Sequence, residues 1–172
     1  MEELAEQLHI GFTCDVGAPM PAFLQTDYGA FLLFYISQET SETHGRSVNI
    51  RSTAVDRGVA VIQFKWCVAF MWGPGEDKLH THRLWGKGLG HYAAFMVHNS
   101  RWIHALSRLS ELNEHQLVRR DWGVFNHYIF TFHDGSFEIV AQDLKISNFD
   151  LSMDEIIRRI LDLSFYDASF YD

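Results

Sequence analysis

The stretch His127-Tyr128-Ile129-Phe130-Thr131-Phe132-His133-Asp134-Gly135-Ser136-Phe137-Glu138-Ile139-Val140-Ala141-Gln142 decides the fold reading. Two β-rich segments flank Asp134-Gly135, a pair that strongly signals a two-residue hairpin turn. A type I′ turn at these residues needs positive φ at both and predicts that His133 faces Ser136, Phe132 faces Phe137 and Thr131 faces Glu138. Side chains alternate across a strand. One face therefore carries Tyr128, Phe130, Phe132, Phe137, Ile139 and Ala141, and reads as core. The other carries His127, Ile129, Thr131, His133, Ser136, Glu138, Val140 and Gln142. This mixed face reads either as a half-solvated outer surface or as the wall of a polar pocket. On this register, truncating Phe130 should cost far more stability than truncating Thr131.

Outward from the hairpin, Phe31–Ile36, Val59–Phe64, Trp66–Met71 and Tyr92–Val97 read as further strands. Ser100 caps a predicted helix running to about Leu112, ended by Asn113. Ser152-Met153-Asp154-Glu155 forms a capping box for a second helix, with Ile156, Ile157, Ile160 and Leu161 as its apolar stripe. Residues 2–9 read as a short helix, and 37–57 as a long polar loop. The order of strands, helix, strands, helix predicts an α+β fold, mainly antiparallel β, as a sandwich or barrel-like sheet with two or three peripheral helices.

At 172 residues the chain is expected to form a single globular domain over 1–172. The aromatic tail 164–172 is expected to dock on the body or on a partner. A composition of 47% hydrophobic and 15% aromatic residues supports a sizeable core. The net charge of −8 argues against nucleic acid and anionic membranes as partners, and suits a basic protein. Cys14 and Cys67 lie far apart with no metal-type spacing, which suits reduced thiols and a cytoplasmic location. The acidic start Met1-Glu2-Glu3 lacks the apolar core of a secretory signal.

Leu79-His80-Thr81-His82-Arg83 places two histidines two residues apart, and in an extended segment both point one way. With His133 as third ligand, His80 and His82 make a candidate site for a divalent metal such as zinc or manganese. The glutamate that follows such a pair in cupin-type sites is absent. Without metal, His80, His82, His133 and Glu138 are candidates for acid–base catalysis on a small-molecule ligand. Arg83, Lys87, Thr131 and Asp134 are candidate ligand-binding residues, with Arg83 suited to an anionic group. Glu76 and Asp77 stand ready to orient the histidines. Gly86-Lys87-Gly88-Leu89-Gly90 lacks phosphate-loop spacing and reads as a turn.

The run Gly73-Pro74-Gly75-Glu76-Asp77-Lys78-Leu79-His80-Thr81-His82-Arg83-Leu84, with Asn99-Ser100, Trp102-Ile103 and Thr131-Phe132-His133-Asp134-Gly135-Ser136-Phe137-Glu138, resembles a family of small bacterial proteins of uncharacterised function. That family carries an acidic His-Gly-His-Pro-Leu segment and a Thr-Phe-His-Asp-Ser-Thr-Phe-Glu segment. The likeness spans about residues 15–143 and implies no reaction. It points again to His80, His82, His133, Asp134 and Glu138. Two functions follow as expectations: a small enzyme or ligand binder with a His/Glu pocket, or an acidic immunity-type protein that binds and inhibits a basic partner.

Overall fold

The computed structural model describes residues 2–15, 18–27, 29–37, 58–112 and 120–162. In chain order the elements are β1 (Leu4–Leu8), β2 (Thr13–Cys14), β3 (Ala22–Thr26), β4 (Gly29–Ser37), β5 (Val59–Lys65), β6 (Ala69–Gly73), a 3₁₀ helix (Glu76–Thr81), β7 (Ala94–His98), α1 (Arg101–Glu111), a 3₁₀ turn (Trp122–Val124), β8 (Asn126–Thr131), β9 (Ser136–Ala141), β10 (Asp143–Phe149) and α2 (Met153–Leu161). The fold is α+β and mainly antiparallel, with its strands in two sheets. The polar segment 38–57 and the tail 164–172 lie outside the described residues. Among the described residues no helix is long and apolar enough to cross a membrane.

The contacts divide the chain into two compact units. The first joins the opening residues through Leu8 to Cys67–Asp143, and its sheet has the order β1-β7-β8-β9-β6. Ala5, Leu79, Leu84, Leu89, Phe95, Val97 and Ile129 form one of its cores. The segment between β6 and β7 thus covers most of the mixed face of the hairpin, while His133, at the turn, stays exposed. His127, Thr131, Ser136, Glu138 and Val140 are all buried. In the second unit β10, β5 and β4 are neighbours in one sheet, and β3 and β2 both pair with β4. The amphipathic α2 lays Ile156 and Ile160 on Phe31, Leu33, Val59 and Val61.

Both helix caps are as expected. Ser100 Oγ accepts from the Ile103 N–H, and Ser152 Oγ accepts from the Glu155 N–H. Residues 4–8 form a strand rather than part of a helix, because Leu4–Leu8 pair with His98–Ala94. That tertiary ladder outweighs a weak local preference. β10 was not anticipated.

The hairpin forms, with a different turn. Phe132 N–H donates to Gly135 O at 2.8 Å, which makes His133 and Asp134 the central residues. Thr131 faces Ser136, Phe130 faces Phe137 and Ile129 faces Glu138. Neither Asp134 nor Gly135 has positive φ, so the type I′ expectation is corrected. The cause is long-range. Glu76 N–H donates to His133 O, and Gly75 packs so closely that an added Cβ would lie 2.8 Å from the Asp134 carbonyl carbon. The docked segment selects the turn. The pairing changes by two residues, one full side-chain period, so both faces keep their predicted members.

Two outcomes follow. Gly88 has φ +92°, and a Cβ there would sit 2.0 Å from Ala5 O. Gly88→Ala should therefore lower stability by more than about 2 kcal/mol, whereas Gly135→Ala, meeting Gly73 O at 3.7 Å, should change it little. Urea denaturation midpoints check the contrast. Phe130→Ala should cost about 3–5 kcal/mol by cavity formation. Thr131 is also buried, and its Oγ accepts from Ala93 N–H and reaches Ala93 O. Thr131→Ala should accordingly cost about 1–3 kcal/mol, more than the face assignment alone suggests.

Candidate functional site

Glu138 on β9 is the centre of a buried polar cluster. His127, two residues along β8 from Glu138's partner Ile129, donates from Nε2 to Oε2 at 2.9 Å. His82, the residue that ends the 3₁₀ helix, reaches Oε1 with its Nε2 at 3.0 Å. Arg83 donates to Oε2 from Nη1 and Nη2, both at 3.2 Å, and its Nε lies 3.3 Å from Oε2 of the buried Glu3. Glu3 Oε1 in turn accepts from Arg101 N–H at the start of α1. There the partial positive charge of the helix terminus favours a carboxylate.

The partners fix both imidazole tautomers. His82 Nδ1 accepts from Leu84 N–H at 3.2 Å, so the ring proton sits on Nε2 and goes to Glu138. The 3.3 Å approach of Arg83 Nη1 to that same nitrogen is therefore a contact between donors. Ser100 Oγ already accepts from Ile103 N–H, so its own proton goes to His127 Nδ1 at 2.9 Å, leaving Nε2–H for Glu138. The Trp102 ring stands edge-on to His127, with centroids 5.2 Å apart. Burial by itself would raise the Glu138 carboxyl. The hydrogen bonds from His127 and His82, with the Arg83 charge, overcome it and hold the group well below the usual carboxylate range.

Ser100, His127 and Glu138 are thus connected as a serine–histidine–carboxylate relay is. The connection is internal. Ser100 is 4% exposed, His127 is fully buried, and the serine oxygen serves the helix terminus. The relay has the partners of a scaffold, not an open face for substrate.

A second polar group lies at the surface. Glu76, Asp77, His91, His133 and Asp134 line an open cleft of about 620 Å³. His133 Nδ1 is 2.7 Å from Asp134 Oδ1, and this hydrogen bond and the Asp134 charge raise the His133 pKa. Tyr92, in the left-handed region at φ +51°, donates its hydroxyl to Glu76 Oε2. Burial, that hydrogen bond and the charges of Glu76 and Asp134 push its phenol up to about 12, so it stays a donor.

The expected site is therefore divided. His82, Arg83 and Glu138 come together inside; His133 and Asp134 stand on the cleft. His80 is exposed on the 3₁₀ helix, and Lys87 Nζ pairs with Glu2 at 3.2 Å. The extended His-x-His is corrected. Glu76–Thr81 coil into a 3₁₀ helix after Gly75, so only His82 is left in extended backbone. Residues two apart on such a helix point in different directions. Among the described residues no three His, Cys, Asp or Glu side chains are grouped to hold a metal ion. The set of His80, His82 and His133 for zinc or manganese is not assembled. Cys14 and Cys67 are free, and burial pushes their thiols up to about 12 and about 11, which suits inert side chains.

Three members of this cluster are not among the residues singled out from the sequence: His127, which bonds Glu138, Ser100, which bonds His127, and Glu3, which shares Arg83 with Glu138. His127 was on the right face, and a pairing closer by two residues would have brought it in. Trp85 is substantially exposed and stands edge-on to His91. No protein-family model, curated protein or solved structure matches the chain.

Glu138 gives a pH prediction. Its folded pKa lies below its unfolded value of about 4.3. Its contribution is complete above that value and is lost as pH falls towards the folded pKa. Stability should therefore drop steeply below about pH 5. Glu138→Gln should cost about 2–4 kcal/mol at pH 7, by removing one of the two buried counter-charges of Arg83 and the carboxylate to which His82 and His127 donate, and should flatten the acid limb. Urea titrations between neutral and acidic pH measure both.

Proposed function

We propose that this chain is an interaction protein whose acidic cleft receives a positively charged side chain of a basic partner. The observation that carries the reading is the open cleft in which Glu76, Asp77 and Asp134 face solvent together, two of them on the docked 3₁₀ helix and one in the hairpin turn. Carboxylates gathered at a concave surface concentrate negative potential and attract cations. The overall charge of −8 adds a long-range attraction of the same sign. The histidines proposed for catalysis are dispersed, and the one that reaches Glu138 has both ring nitrogens engaged within the fold. That favours partner binding over acid–base chemistry on a small molecule. An immunity-type inhibitor of a basic protein in the cytoplasm is one form this activity takes.

Tetralysine is a suitable probe. Calorimetry should find binding that weakens as salt rises. Asp77→Asn with Asp134→Asn should weaken it at least about tenfold, with no loss of thermal stability, because both side chains are exposed. Protonated His133 places a positive charge in the cleft, so affinity should fall as pH drops through its raised titration range. Equal affinity of wild type and the double variant would overturn the reading.

A further inference from the structure

Gly135 is a glycine that the fold does not require. Its φ is not positive, and a Cβ there would meet only Gly73 O, at an ordinary 3.7 Å. Gly75 and Gly88, by contrast, leave no room for a side chain. What glycine does at 135 is leave its own amide nitrogen unhindered. Among the described residues nothing holds that N–H, since the bond that closes the turn runs from Phe132 N–H to Gly135 O. The group next to this nitrogen is the Asp134 side chain, which is 83% exposed.

The sequence holds no second pair of this kind. Asp134 is the one aspartate followed by glycine, and no asparagine is followed by glycine. Asp77, Asp121, Asp143 and Asp150 precede Lys78, Trp122, Leu144 and Leu151, whose β-carbons flank the amide nitrogen. His133 adds a proton source. Its Nδ1 lies 2.7 Å from Asp134 Oδ1, and that bond, with the charges of Asp134, Glu76 and Asp77, favours the protonated ring.

We propose that Asp134-Gly135 is a modification site, at which the chain converts spontaneously to isoaspartate and the cleft beside it is lost with age. Gly135 N attacks Asp134 Cγ and closes a five-membered succinimide. The amide gives up its proton, the imidazolium of His133 gives a second, and both leave with one carboxylate oxygen as water. Water then returns to the ring. Opening at Cγ restores aspartate. Opening at the Asp134 main-chain carbonyl leaves the chain running through Cγ, one methylene longer, with the former carbonyl carbon as the free carboxylate. No oxidant or cofactor takes part.

The turn has no room for that methylene. A Cβ at Gly75 would already lie 2.8 Å from the Asp134 carbonyl carbon and 2.9 Å from His133 O, the oxygen to which Glu76 N–H donates. The longer turn therefore parts from the docked segment, and Glu76 and Asp77 lose their fixed position beside Asp134. This consequence for cation binding rests on the reading of the cleft; the chemistry at 134–135 does not.

The test holds four samples at physiological temperature and neutral pH for several weeks: the intact chain, its Gly135→Ala and His133→Gln variants, and the peptide acetyl-Thr-Phe-His-Asp-Gly-Ser-Phe-Glu-amide. Peptide mapping with electron-transfer fragmentation reads aspartate, isoaspartate and the intermediate lighter by one water. In the intact chain isoaspartate should accumulate at 134 before any other position. Gly135→Ala should slow it at least about tenfold with little change in stability, and His133→Gln should slow it as well. Isoaspartate in the peptide but not in the intact chain would overturn the proposal, because the docked segment then locks the turn. An unchanged rate in Gly135→Ala would overturn it too, and an unchanged rate in His133→Gln would overturn the proton transfer. The aged fraction should bind tetralysine at least about tenfold more weakly than fresh protein. Equal affinity would overturn the loss of the cleft. No affinity in fresh protein would overturn the cation reading and leave the isoaspartate, read by fragmentation, standing.

Discussion

Two buried carboxylates share one guanidinium, and much of the first unit is arranged around that fact. Glu3 arrives just ahead of β1, Glu138 from the middle of β9, and Arg83 from the segment that covers the sheet. A buried anion is costly unless it is paired and its lone pairs are filled. Arg83 meets the charge; His82, His127 and the Arg101 N–H fill much of the remaining acceptor capacity. These donors come from three parts of the chain: His82 with Arg83, the start of α1, and β8. The cluster therefore fixes the covering segment, the start of α1 and the β8–β9 register to one another. A slip of any one would strand a charge in the interior.

This gives the polar residues two separate tasks. Those of the Glu138 cluster specify a unique arrangement and bond to one another within the fold. Those at the His133-Asp134 turn and on the 3₁₀ helix keep their charge towards solvent. The acidic 3₁₀ helix serves both tasks. Leu79 on one side is core, His82 at its end enters the buried cluster, and Glu76 and Asp77 at its start line the cleft.

Features governed by neighbours in sequence were legible. Ser100 and Ser152 announced their helices, because a cap is a bond over three residues. The alternation of 127–142 assigned every hairpin side chain to its face. Features set by distant contacts were not legible. Which two residues turn the hairpin depends on Gly75 docking against it; the strand at Leu4–Leu8 depends on β7; and the partnership of Glu3 with Arg83 joins segments with no local relation. Within the candidate site, the structure brings together His82, Arg83 and Glu138, three of the residues singled out from the sequence. His80 joins them only if the covering segment is extended, and His133 shares the Glu138 face but stands at the turn, where that face reaches solvent. β10 carries a usable signal in the alternation of Leu144 and Ile146.

The pairing of Leu4–Leu8 with His98–Ala94 has a consequence for the order of events during synthesis. β1 is made before the rest of its sheet, and the strand it pairs with, like the Lys87–Gly88 bend that seals its outer side, is made only after β2 to β6. Contacts between residues so distant in sequence carry a high loop-closure cost and form late. β1 must therefore wait unpaired while most of its sheet is still being translated. Glu3, just ahead of it, gains its buried ion pair only once Arg83 is made.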